Sequence, residues 1–438
     1  MKNIAISEYG YIYFKKPKNL NEKYTHAKID NEKDFDELYT YWEDNVDTQK
    51  IFEYKRGKAL KATSYVGIIQ TKNLSIEILP KIYDGESNEV ATRNIFTQML
   101  KPILDLKPIE INKANLSVTN NKNIYEIFIS LFIEHLDKLI HRGLKSQYIS
   151  KEDNQYFLKG KLKFNQHLKQ NYIHKERFYV EYDEYMQDRV ENRLLKSAVA
   201  LLLKKTSDFE NKRALRQQMF IFDEVRLSTN YDVDFRKVNT HRGMEYYEMP
   251  LRFAKVFLKH QSFTSLRGND NVFALLFPMQ TVFEKYIEYS LNNSKDVLGI
   301  NSIMVNGGKN EYLLSNGKCN MARLQPDYLL KMDNGIDIVT DAKWKLLETK
   351  EDESKGCETV NIASGDVYQI FSYLHFYDCE DTAYLFVPEV GKIDGLEFEY
   401  LKNQSDIGNK KLKIVPINLE EMISSHQFQE NIFNNIDN

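Results

Sequence analysis

The rhythm of hydrophobic and polar positions changes twice along the chain. Over the first ninety residues it reads as β structure. Residues 4–14 are rich in Ile and Tyr, and residues 63–69 and 74–78 flank a polar 70–73 segment, a pattern that predicts a hairpin. Pro80 closes its second strand, since it has no N–H for the ladder. Residues 34–42 predict a short helix. From about residue 90 the apolar spacing becomes three and four, over 93–100 and 124–140. The longest such run is 182–205, with Met186, Val190, Leu194, Ala198 and Leu201 along one side. Residues 208–222 and 250–259 continue the helical pattern, and Glu245, Tyr246 and Tyr247 read as a connection before the last of these.

The final third follows a different pattern. Residues 277–291 predict a helix, and two short strands fall between 303 and 314. Residues 324–331 and 336–343 are strands joined by Met332-Asp333-Asn334-Gly335, where Asn-Gly favours a tight hairpin turn. Residues 350–357 are charged and loop-like, 365–377 predict a helix, and 383–388 and 412–417 predict strands. The Asn-rich segment 431–438 is expected to fray. The expected fold class is α+β and multidomain. It comprises a β-rich N-terminal domain (1–90), a mainly helical middle domain (91–270) and a third domain (271–438).

Composition narrows the class without naming it. With 438 residues, 42% hydrophobic and 28% charged, the chain is ordinary for a globular protein and long enough for two or three domains. Its longest apolar runs, 127–133 and 198–203, are too short for a bilayer, so no membrane association is expected. The first residues lack the apolar core of a secretory signal, and three scattered cysteines make no disulfide framework. The expected compartment is the cytoplasm. Net charge is −3 but uneven: +2 over 1–150, +6 over 151–270 and −11 over 271–438. The middle segment is the better candidate for gripping a polyanion.

The strongest chemical signal lies in the 324–343 hairpin. Side chains alternate along a strand, so Asp341 and Lys343 share one face while Ile338 and Ala342 share the other. The turn brings Asp327 beside Asp341. Two carboxylates that close repel unless a cation lies between them, and a few hard oxygen ligands suit Mg²⁺ with retained waters. Such an ion activates water and neutralises a phosphoryl transition state, and Lys343 can orient the water or stabilise developing charge. An acid-x-Lys triplet alone is common, as Glu53–Lys55 shows. Context carries this one: Pro326-Asp327 entering a strand, an Asn-Gly turn, and the triplet ending the next strand. On the preceding helix Glu284 can supply a third carboxylate, or be an ordinary helix glutamate. On the following helix Gln369 and Tyr373 share a face, where they can position a phosphate or the lysine, or simply pack.

These residues resemble the PD-(D/E)xK nuclease core. Val66-Gly67-Ile68-Ile69 to Ile76-Glu77-Ile78-Leu79-Pro80-Lys81, Leu158-Lys159-Gly160-Lys161-Leu162, and Asp188-Arg189-Val190-Glu191-Asn192-Arg193-Leu194-Leu195-Lys196 extend the likeness. Over about residues 65–390 the chain resembles the McrC family, nuclease subunits of McrBC-type restriction systems. The resemblance implies a C-terminal restriction-endonuclease-like domain in which Glu284, Asp327, Asp341 and the Ala342 carbonyl hold Mg²⁺. Lys343 would assist the water, and Gln369 and Tyr373 would orient substrate. It also implies double-stranded DNA, methylated in some systems, as substrate, and an McrB-like AAA+ GTPase ring as partner. The ring would be contacted through the N-terminal and middle regions and stimulated in GTP hydrolysis. GTP belongs to the partner, because Gly57-Lys58, Gly160-Lys161, Gly308-Lys309 and Gly317-Lys318 all lack the upstream glycine and following Ser/Thr of a phosphate loop. Two other readings remain at this point, a non-cleaving activator of a GTPase and a free-standing repair nuclease.

Other chemistries are weaker. His135 and His141 do not have zinc-ligand spacing, and Cys379 follows Asp378 without a recognisable base. The basic stretch Lys159, Lys161, Lys163, Lys169, His174, Lys175 and Arg177, interleaved with Phe164, Tyr172 and Phe178, can contact nucleic acid, dock on a partner or be a solvated face.

Overall fold

Strands buried on both faces build the first sheet. Lys2–Ser7 runs parallel to Leu74–Leu79, which pairs antiparallel with Tyr65–Gln70, and Phe273–Pro278 completes the sheet antiparallel to Tyr65–Gln70. The computed structural model describes the chain except residues 1, 19, 45–47, 72, 83–87, 101, 103–122, 240–242, 260–272, 308–310, 316–318, 353–356, 378, 380, 390–395, 401–409 and 420–438. Ile4, Ile6, Ile69, Ile76 and Ile78 face a small core shared with a second four-stranded sheet and the helix Glu32–Asp44. Val66, Ile68 and Leu79 face the main core instead. Gly67 explains how the fourth strand fits: its φ is +138°, and a Cβ there would lie 2.0 Å from the Leu275 carbonyl oxygen. Only glycine allows that approach.

The hairpin 63–69/74–78 and the helices at 34–42, 93–100 and 124–140 therefore form as the pattern predicts. Residues 277–291 do so with an altered start, since Phe277 and Pro278 end the fourth strand and the helix spans Met279–Asn293.

Helices Ile124–Arg142, Val190–Lys205, Phe209–Ile221 and Glu245–Lys259 pack the main core. The 182–205 reading needs correction. Phe178–Met186 is a strand antiparallel to Gln147–Gln155, and the helix starts at Val190. Aromatic and β-branched residues favour the strand, and Met186 lies four residues before Val190, which imitates a helical stripe. Lys161–Leu162 adds a third strand, so the middle region carries a sheet beside its helices. Glu245–Tyr247 likewise belong to a helix, with Pro250 inside it. Tyr247 fixes the segment, its hydroxyl donating to Asn192 Oδ1 at 2.9 Å and accepting from Lys145 N at 2.8 Å.

The last region is a six-stranded mixed sheet between two helices. Its core order is Ile300–Val305, Tyr328–Met332, Asp337–Ala342, Thr382–Pro388, Lys411–Ile417 and Leu396–Glu399. The first three strands are antiparallel, the next two join in parallel, and the edge is antiparallel. Tyr328, Leu330, Ile338 and Ala342 pack with Val282, Phe283 and Ile287 of the helix Met279–Asn293. Leu329, Val339 and Leu385 pack with Ile370, Tyr373 and Leu374 of the helix Ser364–Phe376. The supposed loop 350–357 is instead part of a hairpin, Thr349–Asp352 against Cys357–Val360, whose tip lies outside the described residues. Residues 431–438 also lie outside them. The chain is thus α+β with several sheets. Among the described residues no helix is long and apolar enough to cross a membrane.

Candidate active site

Register places the two aspartates together. Tyr328 opposes Thr340 across an antiparallel pair, so Asp327 and Asp341, one residue further along, meet at the strand ends on the face shared by Leu329 and Val339. Gly335, at φ +84°, makes the turn that sets this register. Asp327 Oδ2 accepts a 2.8 Å hydrogen bond from the Ala342 N–H, which pins one carboxylate to the strand end bearing the other.

The electrostatics are unusual for a folded interior. Asp341 is 1% exposed, and among the described residues neither of its carboxylate oxygens has a well-aligned hydrogen-bond donor. Lys343 Nζ lies 2.5 Å from Oδ2 as an ion pair and offsets the charge only in part. Burial and then the neighbouring Asp327 push the Asp341 carboxyl up to about 7, against the pull of Lys343. Asp327 is raised as well, first by burial, with the charge of Glu284 adding to it and the Ala342 N–H and Lys343 opposing. Burial works against the Lys343 ammonium, but Asp341, with Asp327 and Asp366, outweighs it and raises its pKa.

Glu284 approaches from the other side. Its helix packs on the opposite face of the sheet, where the Tyr328 hydroxyl donates to the Glu284 backbone carbonyl. Burial raises the Glu284 carboxyl, and Lys343 and Asp341 both act on it, yet its Oε1 accepts from Gln280 Nε2 at 2.7 Å. The same Gln280 amide donates to the Ala342 carbonyl at 2.6 Å, and its Oε1 accepts from Trp344 N at 2.8 Å. Gln280 therefore clamps both sides of Lys343, a role that sequence reading missed. The only cue was its position, one helical turn before Glu284. Tyr373 is buried, and its hydroxyl accepts from Gln369 Nε2 at 2.6 Å while donating to the Gln325 carbonyl at 2.9 Å. The pair thus holds the loop that delivers Pro326 and Asp327.

The donor set fits a hard cation that needs few protein ligands. Two oxygen-only carboxylates meet, and one of them is buried with unsatisfied oxygens. Among the described residues no group of three or more His, Cys, Asp or Glu side chains gathers closely enough to hold a metal, so the structure brings Asp327 and Asp341 together but does not bring the Glu284 carboxylate into one metal-holding group with them.

The other motifs have structural explanations. Asp188, 2% exposed, accepts from Arg193 Nε and Nη2 at 2.7 Å, from Arg226 N at 3.0 Å and from Arg226 Nε at 2.6 Å. Gly160 has φ +70°, and a Cβ there would meet the Glu181 carbonyl oxygen at 2.4 Å. In the basic stretch Lys163 pairs with Glu152 at 2.8 Å and Glu181 at 3.0 Å, while Lys159 lies 4.1 Å from the Tyr182 ring centroid. Phe164, Tyr172 and Tyr185 of this module remain exposed.

Comparison with known proteins adds the following. A family model described as McrBC 5-methylcytosine restriction system component matches residues 60–388. No curated protein matches the chain. Among solved structures, the chain is similar to one in the refined half-complex from the tetradecameric assembly of Thermococcus gammatolerans McrB AAA+ hexamers with bound McrC. Identity is 20%, coverage 99% of this chain and 100% of that one, and the TM-score 0.69. It is also similar to a chain of the cryo-EM structure of the Thermococcus gammatolerans McrBC complex, at 22% identity, 67% and 88% coverage and TM-score 0.50. At these identities the likeness speaks for the fold.

Proposed function

This chain belongs to the McrBC 5-methylcytosine restriction system component family, and we propose that within it the chain is a Mg²⁺-dependent DNA endonuclease subunit driven by an AAA+ GTPase ring. The carrying observation is the buried Asp341 beside Asp327, a carboxylate at a strand end that, among the described residues, has the Lys343 ion pair but no well-aligned hydrogen-bond donor. Mg²⁺, when bound, would neutralise the carboxylates, polarise the phosphate and acidify water. Asp327 and Asp341 would hold it, with Glu284 and the Ala342 carbonyl, both positioned by Gln280, as further oxygen ligands. Lys343 is the ammonium of the set, paired with Asp341 here. Released from Asp341, it orients the attacking water and donates hydrogen bonds to charge building on the phosphoryl oxygens. Hydrolysis adds hydroxide to phosphorus, breaks the bond to a sugar oxygen and returns the proton to that oxygen. Gln369 and Tyr373 act by holding the Gln325–Asp327 loop.

The partner reading rests on the similar chain seen with McrB AAA+ hexamers and on the lack of a phosphate-loop motif in this sequence. In this division of labour the β-rich N-terminal region (1–90) and the middle region (91–270) face the ring, and the region 271–438 cuts. Double-stranded DNA is the substrate, and discrimination of methylcytosine belongs to the ring. The test is plasmid cleavage with Mg²⁺ by the lone chain, then with the AAA+ partner and GTP, on methylated and unmethylated DNA. Cleavage that needs partner and GTP supports the reading. Cleavage indifferent to both identifies a free-standing nuclease, and GTPase stimulation without any cleavage identifies an activator.

A further inference from the structure

Trp344 follows Lys343 directly, and each of its polar groups is held. Its backbone N–H donates to Gln280. Its carbonyl accepts from Lys81 Nζ at 2.5 Å, and its indole Nε1 donates to Glu8 Oε2 at 2.8 Å. Glu8 Oε2 also accepts from the Lys81 backbone N–H at 2.9 Å, which closes the set on itself. The Lys81 ammonium lies 5.5 Å from the Trp344 ring centroid, and the ring packs on Phe283 at 5.5 Å. Glu8 and Trp344 are 0% and 4% exposed.

Glu8 and Lys81 come from the other end of the sequence. Glu8 follows the first strand, Lys2–Ser7, and its N–H bonds the Leu79 carbonyl at 2.9 Å. Lys81 stands just beyond the parallel neighbour, Leu74–Leu79. The junction joins residues 336 positions apart in the chain. A buried carboxylate with one oxygen, Oε1, lacking a hydrogen-bond partner among the described residues is costly, and so is an ammonium whose pKa burial lowers to about 8. Neither helps form a core that an apolar pair would not fill better. Their geometry is instead directed at one residue, the neighbour of the lysine proposed to assist the water.

We propose that Glu8 and Lys81 are positioning residues that set the Asp341–Lys343 strand end, so that the placement of the N-terminal sheet governs cutting. This rests on Asp327, Asp341 and Lys343 being the cutting site. Through Trp344, any displacement of the sheet pair Lys2–Ser7/Leu74–Leu79 is delivered one residue from Lys343, which is how a partner docked on the N-terminal region would reach the site.

The test uses the full chain with its AAA+ partner, GTP, Mg²⁺ and plasmid, comparing wild type with Lys81→Met, Trp344→Phe, Glu8→Ala and Glu8→Gln. Lys81→Met should lower kcat about tenfold with KM for plasmid and stimulated GTP hydrolysis within about twofold, since a misplacement of a full ångström can cost about a hundredfold and Lys81 is one of three groups holding Trp344. Trp344→Phe keeps an aromatic ring but removes the indole N–H together with one of the two fused rings, and should lower kcat in the same sense. Glu8→Gln, which retains an acceptor oxygen, should lose less than Glu8→Ala. Wild-type kcat in both Lys81→Met and Trp344→Phe overturns the proposal, as does a loss that appears in KM or merely follows a lowered melting temperature. Absence of cleavage by the wild type removes the nuclease reading and this proposal together. Wild-type cleavage with unaffected variants removes this proposal alone.

Discussion

Asp188 and Asp341 are both aspartates with almost no solvent exposure that face cations, Asp341 the more deeply set, and they could hardly differ more. Asp188 is surrounded by donors from Arg193 and Arg226, and although burial pushes its carboxyl up, those hydrogen bonds win and hold it at about 2. Asp341 has an ion pair but no aligned donor, and burial with Asp327 lifts it to about 7. The first is a finished structural joint. The second is a charge left incomplete, at the end of a strand, where a cation or a substrate would complete it. Burial alone therefore does not mark a functional carboxylate; unsatisfied burial does.

Neutral substitutions break the comparison most sharply. Asp188→Asn should cost about 3 kcal/mol of stability, because two guanidinium groups and a backbone N–H lose their acceptor charge. Asp341→Asn should leave stability unchanged or raise it in metal-free protein. Urea unfolding of the two variants beside wild type checks this.

The pH dependence should run in opposite directions. A carboxyl held at about 2 against an ordinary 3.8 contributes stability that is present above 3.8 and lost as pH falls through 2. One raised to about 7 contributes stability that is present below 3.8 and lost as pH rises through 7. In EDTA, the gain from Asp341→Asn should grow from about pH 5 to about pH 8, whereas the loss from Asp188→Asn stays flat over that range. Differential scanning calorimetry at several pH values reads both.

Smaller effects sharpen the contrast between ligand and support. Gln280→Leu removes the clamp on the Ala342 carbonyl and the Trp344 N–H, and should lower kcat about tenfold at near-constant KM. Tyr373→Phe removes the hydroxyl that donates to the Gln325 carbonyl and accepts from Gln369, and should cost about threefold. Steady-state cleavage with partner and GTP measures each.

The paired aspartates were legible because local chemistry decides them. Pro326 and Asp327 lead into the strand Tyr328–Met332, Asn334-Gly335 turns it, and a period of two then puts Asp341 and Lys343 on one face. The support was not legible. Gln280, Glu8 and Lys81 reach Trp344 across 64, 336 and 263 residues, and no spacing rule spans such gaps. The strand Phe178–Met186 was hidden because its last apolar residue continues the stripe of the next helix. Asp188 stood out as a motif for the opposite reason from Asp341: one partner, Arg193, lies five residues on in the same motif and Arg226 completes the set from 38 residues away, and that saturation marks architecture rather than chemistry.

One reaction tests the central claim directly: plasmid cleavage and GTP hydrolysis followed together, with the AAA+ partner and Mg²⁺, for wild type, Asp341→Ala and Lys343→Ala. The account predicts that both variants lose cleavage by about a thousandfold or more while GTP hydrolysis remains stimulated as in wild type. Full cleavage by both variants would contradict it and place the cutting site elsewhere.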